Sequence, residues 1–362
     1  MLQAYAIQKI ITQLYTRGGV EIIDFNNSSQ RTLYQTFHWN FKIKEFLKNI
    51  ILFRHCLSLS RNHQAYENFI NKNFKLSKRY LTADELSDSD YENIIVGSDQ
   101  VWNIDIADGD DAYFLPWVNH SLKIAYAPSF GSKNPALYSV EVSKYRQWLK
   151  DFNYLSIRED KGQLWIKQLT SETVPVLLDP TLLLPVRDYY PIISNELILP
   201  KSFIFYYAPQ YNNEVTKLVK YISHKYCLPV IAFNARRFYL QFLDFRTNFI
   251  LPTIEHPGTY LQLIKNATLV VTTSFHGTIF SSIFKKNFWT IKNEGMYGDD
   301  DRVLSLVKRL DLEDRIIPAK CCENKNYLED KDFTNYDKLC HTYREESLSF
   351  LQNALNHRDA ET

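Results

Sequence analysis

The run LVVTTSFHGTIFSSIF (residues 269–284) sets a histidine and a glycine where five β-favouring residues give way to an apolar helix pattern. A chain that only reversed direction there could use Asn-Gly or Asp-Gly. This turn instead carries an imidazole and hydroxyls to the point where a helix presents its free N–H groups. Those amides and the helix dipole favour an anion. His276 can donate to an anionic oxygen or carry a proton near neutral pH. Gly277 lets the backbone approach a ligand closely, and Ser274 and Thr278 flank the pair. An isolated histidine is better read as a satisfied residue that holds its loop; at this junction the chemical reading is the stronger.

Three further segments end apolar runs on polar groups. In NIIVGSDQVWN (93–103), Gly97 permits a tight turn, and Ser98, Asp99 and Gln100 offer a hydroxyl, a carboxylate and an amide. Trp102 and Asn103 add a stacking surface and a second amide. With equal weight, Ser98 or Asp99 caps the next helix and Trp102 is core. In YLSIRED (154–160), Arg158 follows a strand beside Glu159 and Asp160. Its planar fork suits a carboxylate or phosphate, although a salt bridge to a neighbouring acid explains it as well. In VLLDPTLLL (176–184), Asp179 and Pro180 mark a strand end, where a structural role outweighs a chemical one.

The elements that must position these residues alternate. Residues 2–16 predict a helix with Leu2, Ala6, Ile10 and Leu14 on one stripe, and GGVEIIDF (18–25) a short strand. Residues 41–81 predict a basic helical region with Lys42, Lys44, Lys48, Arg54, Arg61, Lys72, Lys75, Lys78 and Arg79 against Glu45 and Glu67. Phe46, Leu47, Ile50 and Phe53 are expected to pack inward there; a secondary reading is contact with anionic lipid. Strand-like runs NIIVG, KIAYAPS, YLSIRE and PVLLDPTLLL follow at helix-length intervals. The pattern relaxes over PVRDYYPIISNELILPK (185–201), and a second series begins with SFIFYYA, LPVIAFN, TLVVTT and NFWTI between helices. Such alternation predicts an α/β chain of two Rossmann-like doubly wound domains, 1–190 and 191–362, facing a cleft in the GT-B manner. Ligands in such sheets bind beyond the carboxyl ends of the strands.

Composition bounds the function. With 362 residues and 45% hydrophobic content the chain can bury a large core. A net charge of +1 argues against a nucleic-acid binder. Aromatics reach 15%; most should fill the core, though such residues also line sugar-binding clefts. No run of about 18 apolar residues predicts a transmembrane helix. The opening MLQAYAIQKIITQLY is an amphipathic helix pattern without the marks of a signal peptide. Five cysteines (Cys56, Cys227, Cys321, Cys322 and Cys340) lack framework spacing and suit a reducing cytoplasm. Cys321, Cys322, Cys340 and His341 cluster in sequence, but without a C-x-x-C no metal site is expected.

Taken in order, IIVGSDQVWN, YAPSFG (126–131), SIRED, LLDPTLLL and TSFHGTIFSSIF resemble the polysaccharide pyruvyl transferase family over nearly the whole chain. The resemblance implies a GT-B-like pair of domains, with 1–190 on the acceptor side and 191–362 on the phosphate side, followed by a C-terminal helical tail. It also implies transfer of a pyruvyl unit from phosphoenolpyruvate to a sugar of a bacterial surface glycan or its lipid- or nucleotide-linked precursor. Phosphoenolpyruvate is then the co-substrate and no cofactor is needed. The family's histidine falls on His276, and its phosphoenolpyruvate-binding arginine corresponds to Arg158. Asp99 is the candidate to orient or deprotonate the acceptor hydroxyl. A cytoplasmic protein in peripheral contact with the membrane is the implied setting.

This chain departs from the family pattern in three places. Relatives start with a strand and an Asn-Tyr-Gly-type loop ahead of LQAYAL; here Met1 precedes LQAYAI directly, so a first strand is expected to be missing. Thr273 stands where relatives often carry Asp. Met296 stands where some carry Lys, which leaves Lys292 or Arg302 to supply that cation. Two rival functions share the architecture: a nucleotide-sugar glycosyltransferase and a non-catalytic carbohydrate-binding relative.

Overall fold

The computed structural model describes residues 1–27, 43–106, 109–138, 141–292, 301–320 and 323–356. Met296, Cys321 and Cys322 lie outside the described residues. In the N-terminal half, β1 (Ile22–Phe25) pairs in parallel with β2 (Leu76–Tyr80). A separate parallel sheet joins β3 (Asn93–Val96), β4 (Leu122–Ala125) and β5 (Tyr154–Leu155) in that order. Between β1 and β3, under the helix Leu2–Leu14, lies a cavity of about 620 Å³.

The C-terminal half is built on one five-stranded parallel sheet. Its strands are β6 (Ile204–Tyr207), β7 (Val230–Phe233), β8 (Leu269–Thr272), β9 (Phe288–Lys292) and β10 (Ile316–Pro318), in the order β10-β9-β8-β6-β7. β7 and β8 are buried along their whole length, as continuous apolar runs must be when helices cover both faces of a sheet. Asn212 opens the helix after β6 by accepting the Glu214 amide at 2.7 Å. His256 and Thr259 form a reciprocal cap on the helix Pro257–Asn266. β6 pairs with β7 on one side and β8 on the other, so the chain order reverses there. At such a reversal the connecting helices diverge and leave a crevice at the strands' carboxyl ends.

Each half also holds an element of the other. The helix Thr334–Leu355 crosses back: Leu178 N donates to Ser347 Oγ at 3.1 Å, and Arg344 Nε donates to Leu182 O at 2.9 Å. In the opposite direction, the helix Cys56–Asn73 reaches the C-terminal half, where Asn62 Oδ1 accepts Glu255 N at 2.9 Å.

Three expectations need correction. The basic region is two helices, Ile43–Phe53 and Cys56–Asn73, followed by strand β2, whose Lys78 and Arg79 are exposed and whose Tyr80 is buried. Phe46, Leu47, Ile50 and Phe53 do not pack inward; they are exposed, and Leu52 and Leu59 make the inward contact, against Ala235. PVLLDPTLLL is no strand. Pro175 and Pro180 each lack a ladder donor, so only the bridge Ile157–Val176 and the short turn Pro180–Leu182 form.

Candidate active site

The turn after β8 is assembled by its small residues. Ser274 caps the helix Phe275–Ile283, its hydroxyl accepting the Gly277 amide at 3.3 Å. A Cβ on Gly277 would come within 2.2 Å of Thr272 Oγ1, which itself bonds Tyr207 O at 2.8 Å. Gly277 therefore lets helix and strand touch, a different reason from the ligand approach expected of it. Thr278 is fully buried, its hydroxyl 2.7 Å from that of Thr290. Gly277 and Thr278 thus aim the turn and are spent inside it, whereas Ser274 caps the helix and also lines the cavity in front of it. The Phe275 and His276 amides take no acceptor among the described residues and head the helix dipole.

His276 meets the N-terminal half at Asp179. Its Nε2 lies 3.6 Å from Asp179 Oδ2, beyond hydrogen-bond length. Arg158 Nη1 donates to that same oxygen at 2.9 Å, and Ser98 Oγ stands 3.1 Å from it. Asp179 Oδ1 accepts Thr181 N at 3.0 Å and Thr181 Oγ1 at 2.7 Å. Every lone pair of the carboxylate is engaged or approached. Burial alone would raise the Asp179 pKa, but His276, then Arg158 and Thr181, hold it far below the carboxylate range. The aspartate assigned a structural role in the sequence is the hub of the site. Its signal was the lone acid inside an apolar run, VPVLLDPTLLL.

Behind this hub, Arg158 is almost wholly enclosed. Its guanidinium stacks 4.3 Å from the Phe275 ring centre, and Nη2 lies 3.5 Å from Asp99 Oδ1. Arg158 does not line the open cavity; it braces Asp179 and Asp99 from within, which corrects its expected place as a substrate-facing cation. Glu159, fully buried, accepts Phe130 N at 3.0 Å, and burial pushes its pKa up to about 7 despite Arg158 and Arg302.

Asp99 sits at φ 79°, on a loop whose Gly97 could not bear a side chain: a Cβ there would lie 2.1 Å from Tyr126 O. Its side chain is 40% exposed at the cavity; partial burial would raise its pKa, but Arg158, then His276 and Arg302, hold it below normal. Asp99, Gln100, Tyr207, Thr273, His276, Lys292 and Arg302 line a cavity of about 240 Å³. It stands at the carboxyl ends of β6, β8 and β9, over the chain reversal. Gln100 Oε1 accepts Asn103 Nδ2 at 2.8 Å; with the amide turned, its oxygen meets Arg302 at 2.6 and 3.2 Å.

Three expected binders stand elsewhere. Trp102 is core, stacked on Phe114 at 5.1 Å with its Nε1 donating to Tyr113 O, so it offers no stacking face. Asn103 is buried behind Gln100, and Ser98 behind Asp179, so both support the loop without reaching the cavity. Among the described residues, five buried polar atoms beside these charges lack a hydrogen-bond partner: Thr273 Oγ1, His276 Nε2, Arg158 Nε and Nη2, and Glu159 Oε2. No group of three or more His, Cys, Asp or Glu residues suited to a metal ion occurs among the described residues. Among them, too, no helix is long and apolar enough to cross a membrane.

Two parallel α/β halves, joined over a charged cavity at the strands' carboxyl ends, define an enzyme-like Rossmann pair. The sequence profile of the polysaccharide pyruvyl transferase family matches residues 1–295, and the chain belongs to that family. No curated protein matches it in sequence. Among solved structures, UDP-GlcNAc 2-epimerase from Neisseria meningitidis bound to UDP-GlcNAc is similar at a TM-score of 0.46 and 10% identity, over 99% of this chain and 95% of that one. The UDP-GlcNAc 2-epimerase from Methanocaldococcus jannaschii gives 0.44 and 12%, over 94% and 88%. The UDP-N-acetylglucosamine 2-epimerase from Rickettsia bellii gives 0.43 and 11%, over 98% and 94%.

Proposed function

We propose that the cavity binds phosphoenolpyruvate and that the chain joins its three-carbon unit to two hydroxyls of one sugar as a pyruvate ketal. The family supports a pyruvyl transferase that acts on a polysaccharide or its sugar precursor. One observation favours this donor: Arg302, Lys292, the orphaned His276 Nε2 and Thr273 Oγ1, and two unused helix amides all border one cavity. A compact anion with a phosphate and a carboxylate satisfies such a set, because each of its oxygens takes charge-assisted bonds.

In this reading Arg302, Lys292 and the helix N-terminus hold the donor. Protonated His276, kept in place by Asp179, gives its proton to the methylene carbon, and C2 becomes electrophilic. The first sugar hydroxyl adds to C2 and releases its proton, and the C2–O bond to phosphate breaks with the electron pair leaving on phosphate. The second hydroxyl then adds at C2 and loses its proton, closing the ketal. Asp99, a carboxylate with depressed basicity, serves the acceptor better as a hydrogen-bond acceptor that orients a hydroxyl than as a base.

A phosphorus NMR time course with phosphoenolpyruvate and a panel of lipid- or nucleotide-linked sugars tests the proposal. His276→Ala should slow phosphate release with the accepted sugar by a factor of at least about 100. Near-normal turnover removes the histidine from the mechanism. Calorimetric titration in which UDP binds and phosphoenolpyruvate does not would turn the assignment to a glycosyltransferase.

A further inference from the structure

Phe46, Leu47, Ile50, Phe53 and Leu57 form a stripe of large apolar side chains in solvent. Phe46, Ile50 and Phe53 share one face of the helix Ile43–Phe53, and Leu57 extends the stripe onto the next helix. Phe53 is 71% exposed and Leu57 79%. Single exposed apolar residues are ordinary, but a contiguous row marks an interaction surface. The opposite side is anchored: Leu52 and Leu59 pack on Ala235, and the His55 ring stacks 3.5 Å from Tyr239. These contacts turn the exposed face away from the C-terminal half.

The C-terminal half widens the patch. Phe242 and Phe245 are exposed, and the Phe245 ring lies 5.8 Å from the Arg54 guanidinium. Arg54 and Arg246, both exposed, bring positive charge to this surface. The helix against which the patch is anchored connects to the cavity wall. Asn234, which caps the helix Ala235–Leu240, donates to Pro209 O at 3.2 Å, and Pro209 lines the cavity.

We propose that this face seats the protein on an anionic lipid surface, with Phe46, Phe53 and Leu57 in the headgroup–acyl boundary and Arg54 and Arg246 on the headgroups. Aromatic and aliphatic side chains flanked by cations are the combination that binds such an interface. The inference does not depend on which reaction the cavity performs.

The test is co-sedimentation of the full chain with phosphatidylcholine vesicles, with and without about one third phosphatidylglycerol. Each basic residue at the surface should add about five-fold to the binding constant on the anionic vesicles. Arg54→Glu with Arg246→Glu should remove that increment. Phe46→Ser, Phe53→Ser and Leu57→Ser together should cut binding by at least about ten-fold on the same vesicles. All three side chains already face solvent, and an unchanged melting curve would show the fold intact. Absence of binding, or equal binding to both vesicles, overturns the proposal. So does a dimer on gel filtration that the serine variant dissolves.

Discussion

His276 Nε2 and Asp179 Oδ2 stand 3.6 Å apart across the two halves of the chain, and Arg158 Nη1 holds the same oxygen at 2.9 Å from behind. One buried carboxylate thus couples the imidazole that faces the cavity to a guanidinium that does not. The arrangement makes Asp179 a positioning residue, and it makes the charges on Arg158 and Asp179 interdependent.

Removing either partner leaves the other buried and uncompensated. Asp179→Asn or Arg158→Met should each cost about 3–5 kcal/mol in urea unfolding. The double variant Asp179→Asn/Arg158→Met should be less destabilised than the sum of the two, because no orphaned charge remains. Additive losses would show that the two groups do not act as a pair.

The cavity cations should be separable by kinetics. Arg302 is buried at the cavity wall, so Arg302→Met should raise the KM for phosphoenolpyruvate by roughly 10- to 100-fold, the value of a charge-assisted bond to an anion. Lys292 is exposed, and Lys292→Met should have a smaller effect. Equal KM values in Arg302→Met and the parent would exclude Arg302 from the donor site.

Stability should fall as pH rises toward neutrality. Burial lifts Glu159 from 4.5 to about 7, and does the same for Glu255 against its backbone hydrogen bonds. Between these values the native chain retains protons that the unfolded chain has released, so raising pH favours unfolding. Each group can account for at most roughly 3 kcal/mol across that window. Asp179 and Asp99 act oppositely: their pKa values are depressed, so their stabilisation is present above the ordinary aspartate range and lost in acid. Glu159→Gln should flatten the pH 4.5–7 slope by about half, measured as urea midpoints across pH. An unchanged slope would mean that Glu159 stays ionised.

Gly277 should tolerate no side chain. Gly277→Ala would press on Thr272, whose hydroxyl ties β8 to β6 and accepts Ser274 N at 3.0 Å. A loss of about 1–3 kcal/mol is expected, with a matching fall in Tm. An unaffected melting temperature would show that the turn relaxes freely around the new methyl group.

Much of the architecture was legible because it is local. Strands β6 to β9 and their helices announce themselves as apolar runs bounded by caps, and the Ser-Phe-His-Gly turn follows from residues within a few positions of each other. Other elements were not legible. β2 hid in a basic stretch because LSKRY is too polar to read as a strand without its partner β1. The stripe from Phe46 to Leu57 has the spacing of a core face, and only packing decided that Leu52 and Leu59, not these residues, meet the C-terminal half.

The sequence by itself determined which groups could do chemistry: a histidine at a helix start, Asp99 on a glycine loop, and Arg158 beyond a strand. Tertiary structure decided what each one faces. Ser98, Arg158, Asp179 and His276 span 179 positions, yet they converge because their strands and turns end at the same crevice. The physical reason is desolvation. A charge can be buried only where opposite charge awaits it, and which charges meet there depends on how the two sheets are packed, a relation no local pattern encodes.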